Sequence, residues 1–331
     1  MQYSNRFFEL SLSDDIFDFR QIPEATKFIT GSYVLLTSAL YIIRRSLYYQ
    51  LHPTDPNIDY DSITNPILQL IPSSIIKYPF SIILSNLIDT ELWKVIVNLL
   101  NLLIGGSFIE RNWNSSKEMF KFIFVIGSIT NFVVVLVAYL LSFVFTDMRL
   151  DVPLDGNYTV IIGFPIIYKQ LLPETTIVNI TKPKLLSKNF RFKLLPIFVM
   201  CIMTLTELIW FHHFAQLLSI WISFFSCWIY LRFYQVLPLS NSRDEEAIVG
   251  DASDTFQLIH FFPDIIKPLL KPCFEWCYNF FTGYLHIIRP FQANEVEKGN
   301  DIAEQRGANK ITDAEERRRK LALQVLEERM V

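Results

Sequence analysis

The apolar residues of this chain gather into long, nearly charge-free runs rather than recurring at helix or strand spacing along its whole length. A helix that crosses a bilayer needs about 20 mostly apolar residues, and runs bounded by charge predict six such helices. The first covers residues 26–43 and stops at Arg44 and Arg45; the second follows Lys94 and ends at Glu110; the third covers residues 122–146. A fourth begins near Gly156 and meets Lys169, which makes it too short to stand in lipid unless neighbouring helices shelter it. The fifth and sixth share residues 194–231, interrupted by Glu207 and by His212 and His213, and read as a hairpin with a short turn. Between the first two spans, residues 50–92 hold only brief apolar stretches such as Ile75-Ile76 and Ile82-Ile83-Leu84, so this loop is expected at the membrane interface. The fold class expected is an all-α polytopic membrane protein with a six-helix bundle.

After residue 237 the pattern changes. Residues 241–254 are polar and acidic, and residues 256–290 are rich in aromatics but broken by Pro263, Pro268 and Pro272. The best apolar run there still contains Glu275 and His286, which predicts an interfacial amphipathic segment over 256–290 rather than a seventh span. Residues 292–309 read as disordered. Thr312 and Glu315 form a capping-box signature that opens a charged helix over 312–329. The chain thus divides into an N-terminal segment (1–25), a membrane domain (26–237) and a tail (238–331).

Composition sharpens this picture. Hydrophobic residues make up 51% and charged residues only 19%, against roughly a quarter charged in soluble domains, so the chain needs a lipid bilayer as solvent. The net charge of −3 gives no reason to expect nucleic acid. Cys201, Cys227, Cys273 and Cys277 offer neither a CxxC pair nor a disulfide framework, and no metal or other cofactor is expected. Basic residues near span ends set orientation. Arg6, Arg20, Lys27, Arg111, Lys117, Lys121, Lys182, Lys184, Lys188, Arg191, Lys193, Arg232 and Arg243 share one side, against mainly Arg44, Arg45, Lys77 and Arg149 on the other. Both termini are therefore expected in the cytosol. Sequons at Asn114, Asn157 and Asn179 then fall in the cytosol or at a helix mouth and are expected to carry no sugar.

In the second span Asn98, Leu102, Gly106 and Glu110 recur every four residues, a single stripe of one helix. With Tyr78-Pro79-Phe80 upstream, the stripe resembles the rhomboid superfamily, where a proline-aromatic loop leads to a second helix reading His-x3-Asn-x3-Leu-x3-Gly-x3-Glu. Lys94 stands where that His belongs. The rhomboid protease pattern Gly-x-Ser-Gly, with a further Gly seven residues after the first, is matched by Gly156-Asn157-Tyr158-Thr159 and Gly163, so Tyr158 takes the nucleophile position. In the sixth span His213 matches the catalytic His, while Gln216 and Ile220 replace two glycines, which implies a looser approach of the fourth and sixth helices. A phenol is a poor acyl-transfer nucleophile, so the resemblance implies a pseudoprotease.

Four strings carry a narrower resemblance over residues 26–330: GNYTVIIGFPIIYKQ (156–170), SCWIYLRFYQ (226–235), HFFPDIIKP (260–268) and DAEERRRKLALQVLEER (313–329). Together they resemble the transmembrane protein 115 family of rhomboid-like Golgi proteins. That resemblance implies a Golgi membrane protein that supports Golgi-to-endoplasmic-reticulum retrograde transport and glycosylation, in part through the conserved oligomeric Golgi tethering complex. A derlin-like factor that binds membrane-protein clients, resident in the endoplasmic reticulum membrane, is the alternative. Homo-oligomerisation stays open.

Ionisable and polar residues inside a membrane are functional candidates. Lys94, Asn98, Glu207 and His213 project to the luminal half in this topology, with Tyr158 at the mouth of the fourth helix. Lys94 is expected to pair with Glu207, and Asn98 with backbone or Tyr158. In the terminal helix, Arg317, Arg318, Arg319, Leu321, Val325 and Leu326 are the expected partner contacts.

Overall fold

The computed structural model describes residues 2–4, 8–11, 22–53, 59–145, 149–173, 176–180, 189–211, 214–237, 248–262, 266–284 and 289–308. In chain order the bundle consists of α1 (Glu24–Leu51), α2 (Leu92–Trp113), α3 (Ser116–Ser142), a short α4 (Tyr158–Ile161 continuing as Gly163–Leu171), α5 (Phe192–Ile209) and α6 (Phe214–Tyr234). Among the described residues, all of these except α4 are long and apolar enough to cross a bilayer. The bundle's polarity is that of a protein in lipid. Leu35 and Ile42 on α1, Val125, Ile129, Phe132 and Leu136 on α3, and Ile202 and Leu205 on α5 are exposed at helical spacing. Lys94, Asn98, Glu110, Glu118 and Asn131 are buried instead.

The short fourth helix is sheltered as its length requires. Each residue from Tyr158 to Ile167 is buried, and at 1.5 Å per residue α4 extends only about 21 Å, less than the ~30 Å hydrocarbon core. Its packing explains the two glycines seven residues apart. A Cβ on Gly163 would lie 2.7 Å from the Phe122 ring and 3.0 Å from Cys227 Sγ, and one on Gly156 would run into Ser85 and Asn131. The fourth and sixth helices are therefore closely packed, contrary to the expectation drawn from Gln216 and Ile220. The small residues of α6 lie in a different register: Ser219, Ser223 and Cys227, at four-residue spacing, are all buried.

Two ends of the bundle can be told apart. At one, the loop end, Arg44 of α1 donates through Nε to Ile63 O (2.9 Å) and through a second nitrogen to Tyr60 O (3.0 Å), tying the 59–91 loop down. Leu70 bridges Leu154 there, and Ser73 N donates to Leu150 O at 3.1 Å. The inner side of this loop is buried through Leu68, Leu70, Ile71 and Ile88, while Ile76 and Phe80 face outward.

At the other, the tail end, an antiparallel sheet that the apolar pattern did not announce joins β1 (Gln2–Ser4), β2 (Phe8–Ser11), β3 (Thr176–Ile180) and β4 (Asn189–Arg191). It links the segment before α1 to the linker between α4 and α5, so both lie at one end of an otherwise helical bundle. After a two-stranded pairing of Val236–Leu237 with Ile248–Val249, the tail folds back onto that end. Phe256 and Phe261 join the main core, Phe261 meeting Phe224 of α6 at 5.6 Å between ring centroids. Arg232 is buried and donates to the carbonyl of Ser253 at 2.5 Å and to that of Asp251, and Trp228 Nε1 donates to Phe256 O at 3.1 Å. Two more helices follow, α7 (Lys267–Asn279) and α8 (Ala293–Gln305). Residues 293–305, expected to be disordered, are therefore helical. Gln292 and Glu295 cap α8 reciprocally, and Asn300 holds the Asp254 turn by accepting from its backbone N–H (2.8 Å) and donating to its carboxylate (3.0 Å). The composition missed this because a polar helix with two buried small residues, Gly299 and Ala303, carries little apolar signal.

Candidate functional site

The α2 stripe has a structural duty at each position. Glu110, near the tail end, reaches the uncapped start of α1, where Pro23 offers no side-chain cap. Its carboxylate accepts from Ala25 N (3.2 Å), Thr26 N (2.8 Å), Thr26 Oγ1 (2.8 Å) and Ser116 Oγ (2.6 Å). A negative group on the free N–H groups of a helix start complements both their hydrogen-bonding need and the helix dipole. One turn back, a Cβ on Gly106 would sit 3.3 Å from Thr26 Cγ2, so the glycine lets α1 come close enough for that cap. Leu102 fills the core.

At the loop end the stripe enters a polar cluster. Asn98 Nδ2 donates to Asp89 Oδ2 at 2.7 Å, and the Tyr33 phenol of α1 donates to the same oxygen. Asp89 is fully buried at the end of the loop that precedes α2, and burial pushes its carboxyl up to about 6 against the opposing pull of those two donors. Lys94, four residues before Asn98, is buried between Asp155 Oδ2 and Glu91 Oε1, the latter at 3.2 Å. Asp155 also binds Gln216 of α6 twice, since its backbone N–H donates to Gln216 Oε1 (3.2 Å) and its carboxylate accepts from Gln216 Nε2. Tyr158 completes the group. Its hydroxyl accepts from Gln216 Nε2 at 2.7 Å and donates to Asp155 at 3.3 Å, and its ring is buried.

Lys94 therefore pairs with Asp155 and Glu91 and not with Glu207. Glu207 is buried on the other flank, close enough to feel the charges of Lys94, Asp155 and Glu91, but its Oε2 has no hydrogen-bond partner. The reason is positional: the backbone entering α4 carries Asp155 into the cluster from the chain just before the helix. Asn98 likewise bonds Asp89, neither Tyr158 nor backbone. Asp155, Asp89 and Glu91 lie outside the apolar runs, where no span pattern marks them. The sequence signal that could have found Asp155 is its place directly before Gly156-Asn157-Tyr158.

Chemically, Tyr158 faces an amide and a carboxylate already engaged by an ammonium. A primary amide is not a proton acceptor of the kind an acyl-transfer nucleophile needs. Among the described residues no three His, Cys, Asp or Glu side chains converge as metal ligands. His213 lies outside the described residues, as do Arg317, Arg318, Arg319, Leu321, Val325 and Leu326. The sequon at Asn157 is fully buried.

Comparison with known proteins fixes the family. The family model described as "Eukaryotic integral membrane protein (DUF1751)" matches residues 27–331. The chain is 61% identical over 340 residues to "Transmembrane protein 115 homolog" of Saccharomyces cerevisiae, covering 100% of this chain and 99% of that one. The chain belongs to the transmembrane protein 115 family. It is 26% identical to "Rhomboid-like protein 19" of Arabidopsis thaliana, over 82% of this chain and 83% of the relative, and 23% identical to "Transmembrane protein 115" of Homo sapiens, over 74% and 66%. No solved structure matches. Family membership and the helical bundle agree on an integral membrane protein of rhomboid-like kind.

Proposed function

We propose that this member of the transmembrane protein 115 family is a non-catalytic Golgi membrane protein, with both termini in the cytosol. In this reading it supports Golgi-to-endoplasmic-reticulum retrograde vesicle transport and Golgi glycosylation by recruiting tethering machinery through its cytosolic tail. The observation that carries the non-catalytic part is Tyr158. The residue in the nucleophile position of the rhomboid pattern is a buried phenol held by the Gln216 amide at 2.7 Å, and a phenol is a poor acyl-transfer nucleophile. The recruiting part is supported by the tail, which is anchored on the bundle through Phe256, Phe261 and Arg232. From that anchor it can present the helix expected over 312–329, with Arg317, Arg318 and Arg319 toward acidic surface and Leu321, Val325 and Leu326 in the contact. The family resemblance makes the conserved oligomeric Golgi complex the partner to test.

Glu207 favours one other reading. Its unpartnered Oε2 beside Lys94 could meet a polar group in the membrane segment of a client, as a derlin-like quality-control factor of the endoplasmic reticulum membrane would require. Proximity labelling from the C-terminus in intact cells separates the two. Golgi tethers among the neighbours support recruitment; an extraction ATPase in their place supports the client-binding reading and overturns the first.

A further inference from the structure

Of the four cysteines, two are differently placed from the others. Cys227 is fully buried in α6 against α4. Cys201 is exposed, but it sits within α5, nine positions beyond Phe192, which is about 13 Å along the helix axis and deep in the lipid-facing belt. Cys273 and Cys277 lie in α7. They are four residues apart, so they share one face of that helix; Cys273 is exposed and Cys277 half-buried.

The setting of α7 is what gives those thiols meaning. No residue of α7 or of the turn that extends it, Phe280–Tyr284, is buried, although the segment contains Leu269, Trp276, Phe281 and Tyr284, which are exposed. Such a surface suits lipid. The level at which α7 leaves the bundle points the same way. Phe261, six residues before Lys267, packs on Phe224, and Phe262 meets Phe274 of α7 at 5.6 Å. Phe224 lies ten residues, about 15 Å, inside the tail end of α6. After α7 the chain returns to that same end, where Phe291 stacks on Phe233 at 5.4 Å and Arg232 lies 5.0 Å from the Phe291 ring. The α7 excursion therefore starts beside the middle of α6 and returns to its tail-end rim, which keeps it on the tail-end half of the bundle. Lys267 and Lys271 add positive charge suited to the anionic headgroups of a cytosolic leaflet. At 18 residues with Pro268, Pro272, Lys267, Lys271 and Glu275 inside it, the segment is not among the helices apolar enough to cross.

We propose that α7 lies against the cytosolic leaflet and that Cys273 and Cys277 are S-acylation sites, taking long-chain fatty acyl groups that clamp the tail to the membrane. Paired thiols on an amphipathic helix beside the membrane are the setting in which this modification occurs. Each Sγ attacks the carbonyl carbon of an acyl-coenzyme A thioester. A new S–C bond forms as the donor's S–C bond breaks, and the cysteine's proton ends on the departing coenzyme thiol, so no oxidant or reductant is consumed. Cys273 is the more exposed of the two thiols and is modified first. One acyl chain binds membrane only marginally and reversibly, whereas two signals give stable anchoring.

The inference rests on the cytosolic placement of the tail, and the test separates the two. The full chain is expressed in its native membranes, free thiols are blocked, and thioesters are cleaved with neutral hydroxylamine and tagged with a maleimide polymer that adds a gel shift per site. The expected result is two hydroxylamine-dependent shifts, one in Cys273→Ser or Cys277→Ser, none in the double variant, and no change in Cys201→Ser. A wild-type chain with no shift, while a known acylated protein in the same membranes shows one, overturns the proposal, as does a double variant that keeps both shifts. The polymer is also applied to sealed vesicles. Labelling at these positions only after detergent places the tail in the lumen and overturns the topology together with the acylation that depends on it, whereas labelling without detergent and without need of hydroxylamine overturns the acylation alone.

Discussion

At the tail end of α2, Glu110 is spent on backbone N–H groups of α1; at the loop end of the same helix, Lys94 is set among three carboxylates contributed by Glu91, Asp155 and Glu207. Both groups are buried, and both belong to a pattern that resembles an enzyme's. Glu110 has all its hydrogen bonds within two neighbouring helices and needs nothing further. Lys94 balances a charge brought in by the chain before α4, and an acceptor on Glu207 is left over. The motif stripe thus has two separable structural duties, helix capping at one end and charge compensation at the other.

Breaking the charged end has the largest expected effect. Removing one partner of a buried ion pair leaves an uncompensated charge and costs about 3–5 kcal/mol. Lys94→Met should therefore lower abundance and detergent thermostability strongly. Asp155→Asn in the same chain should recover much of the loss, while Glu207→Gln should recover little. Equal rescue by both second changes would mean that Lys94 serves Glu207 as much as Asp155. A double-mutant cycle on Lys94 and Asp155 gives the coupling directly.

The capping end is expected to yield less. Glu110→Ala strips the cap from α1, a change worth roughly 0.5–2 kcal/mol in other helices, with Ser116 losing its acceptor as well. Glu110→Gln, which keeps one acceptor oxygen, should cost less than Glu110→Ala. If the two variants melt together, the charge and not the hydrogen bonds holds the helix start.

Asp89 gives a pH signature to the loop end alone. Its carboxyl is raised from 3.8 to about 6 by burial, so the folded state holds the proton more tightly than the unfolded chain. Stability from this group therefore falls as pH rises from about 4 to about 6 and stays low above that. Melting temperature in detergent should rise between pH 7 and pH 5 by more in the wild type than in Asp89→Asn. Parallel pH profiles would show that Asp89 is not protonated on acidification.

Much of this architecture is written in local pattern. The runs of α1, α2, α3, α5 and α6 are bounded by charge, and the brevity of α4 already required the shelter that it has. The stripe from Asn98 to Glu110 is legible because its spacing is that of one helix face. What escapes is contact between distant stretches: Asp155 and Gln216 are 61 positions apart, Glu110 and Thr26 are 84, and no periodicity within a span reports such a meeting. The α4–α6 contact lies in another register: the glycine pattern counted from His213 lands on Gln216 and Ile220, whereas the buried small residues of α6 are Ser219, Ser223 and Cys227. The docked tail was missed since Phe256 and Phe261 sit in a stretch interrupted by prolines, where burial comes from the bundle and not from a regular face.

The smallest structural change is the most informative about function. Tyr158→Phe deletes the acceptor for Gln216 and the hydroxyl that donates to Asp155, a loss of about 1–2 kcal/mol for two hydrogen bonds, and leaves the buried ring in place. Retrograde cargo transport from the Golgi, measured in cells that carry only Tyr158→Phe at matched abundance, tests the proposal most directly. A non-catalytic protein that works through its cytosolic tail predicts transport at the wild-type rate; transport lost at normal abundance would contradict it and give the phenol a chemical role.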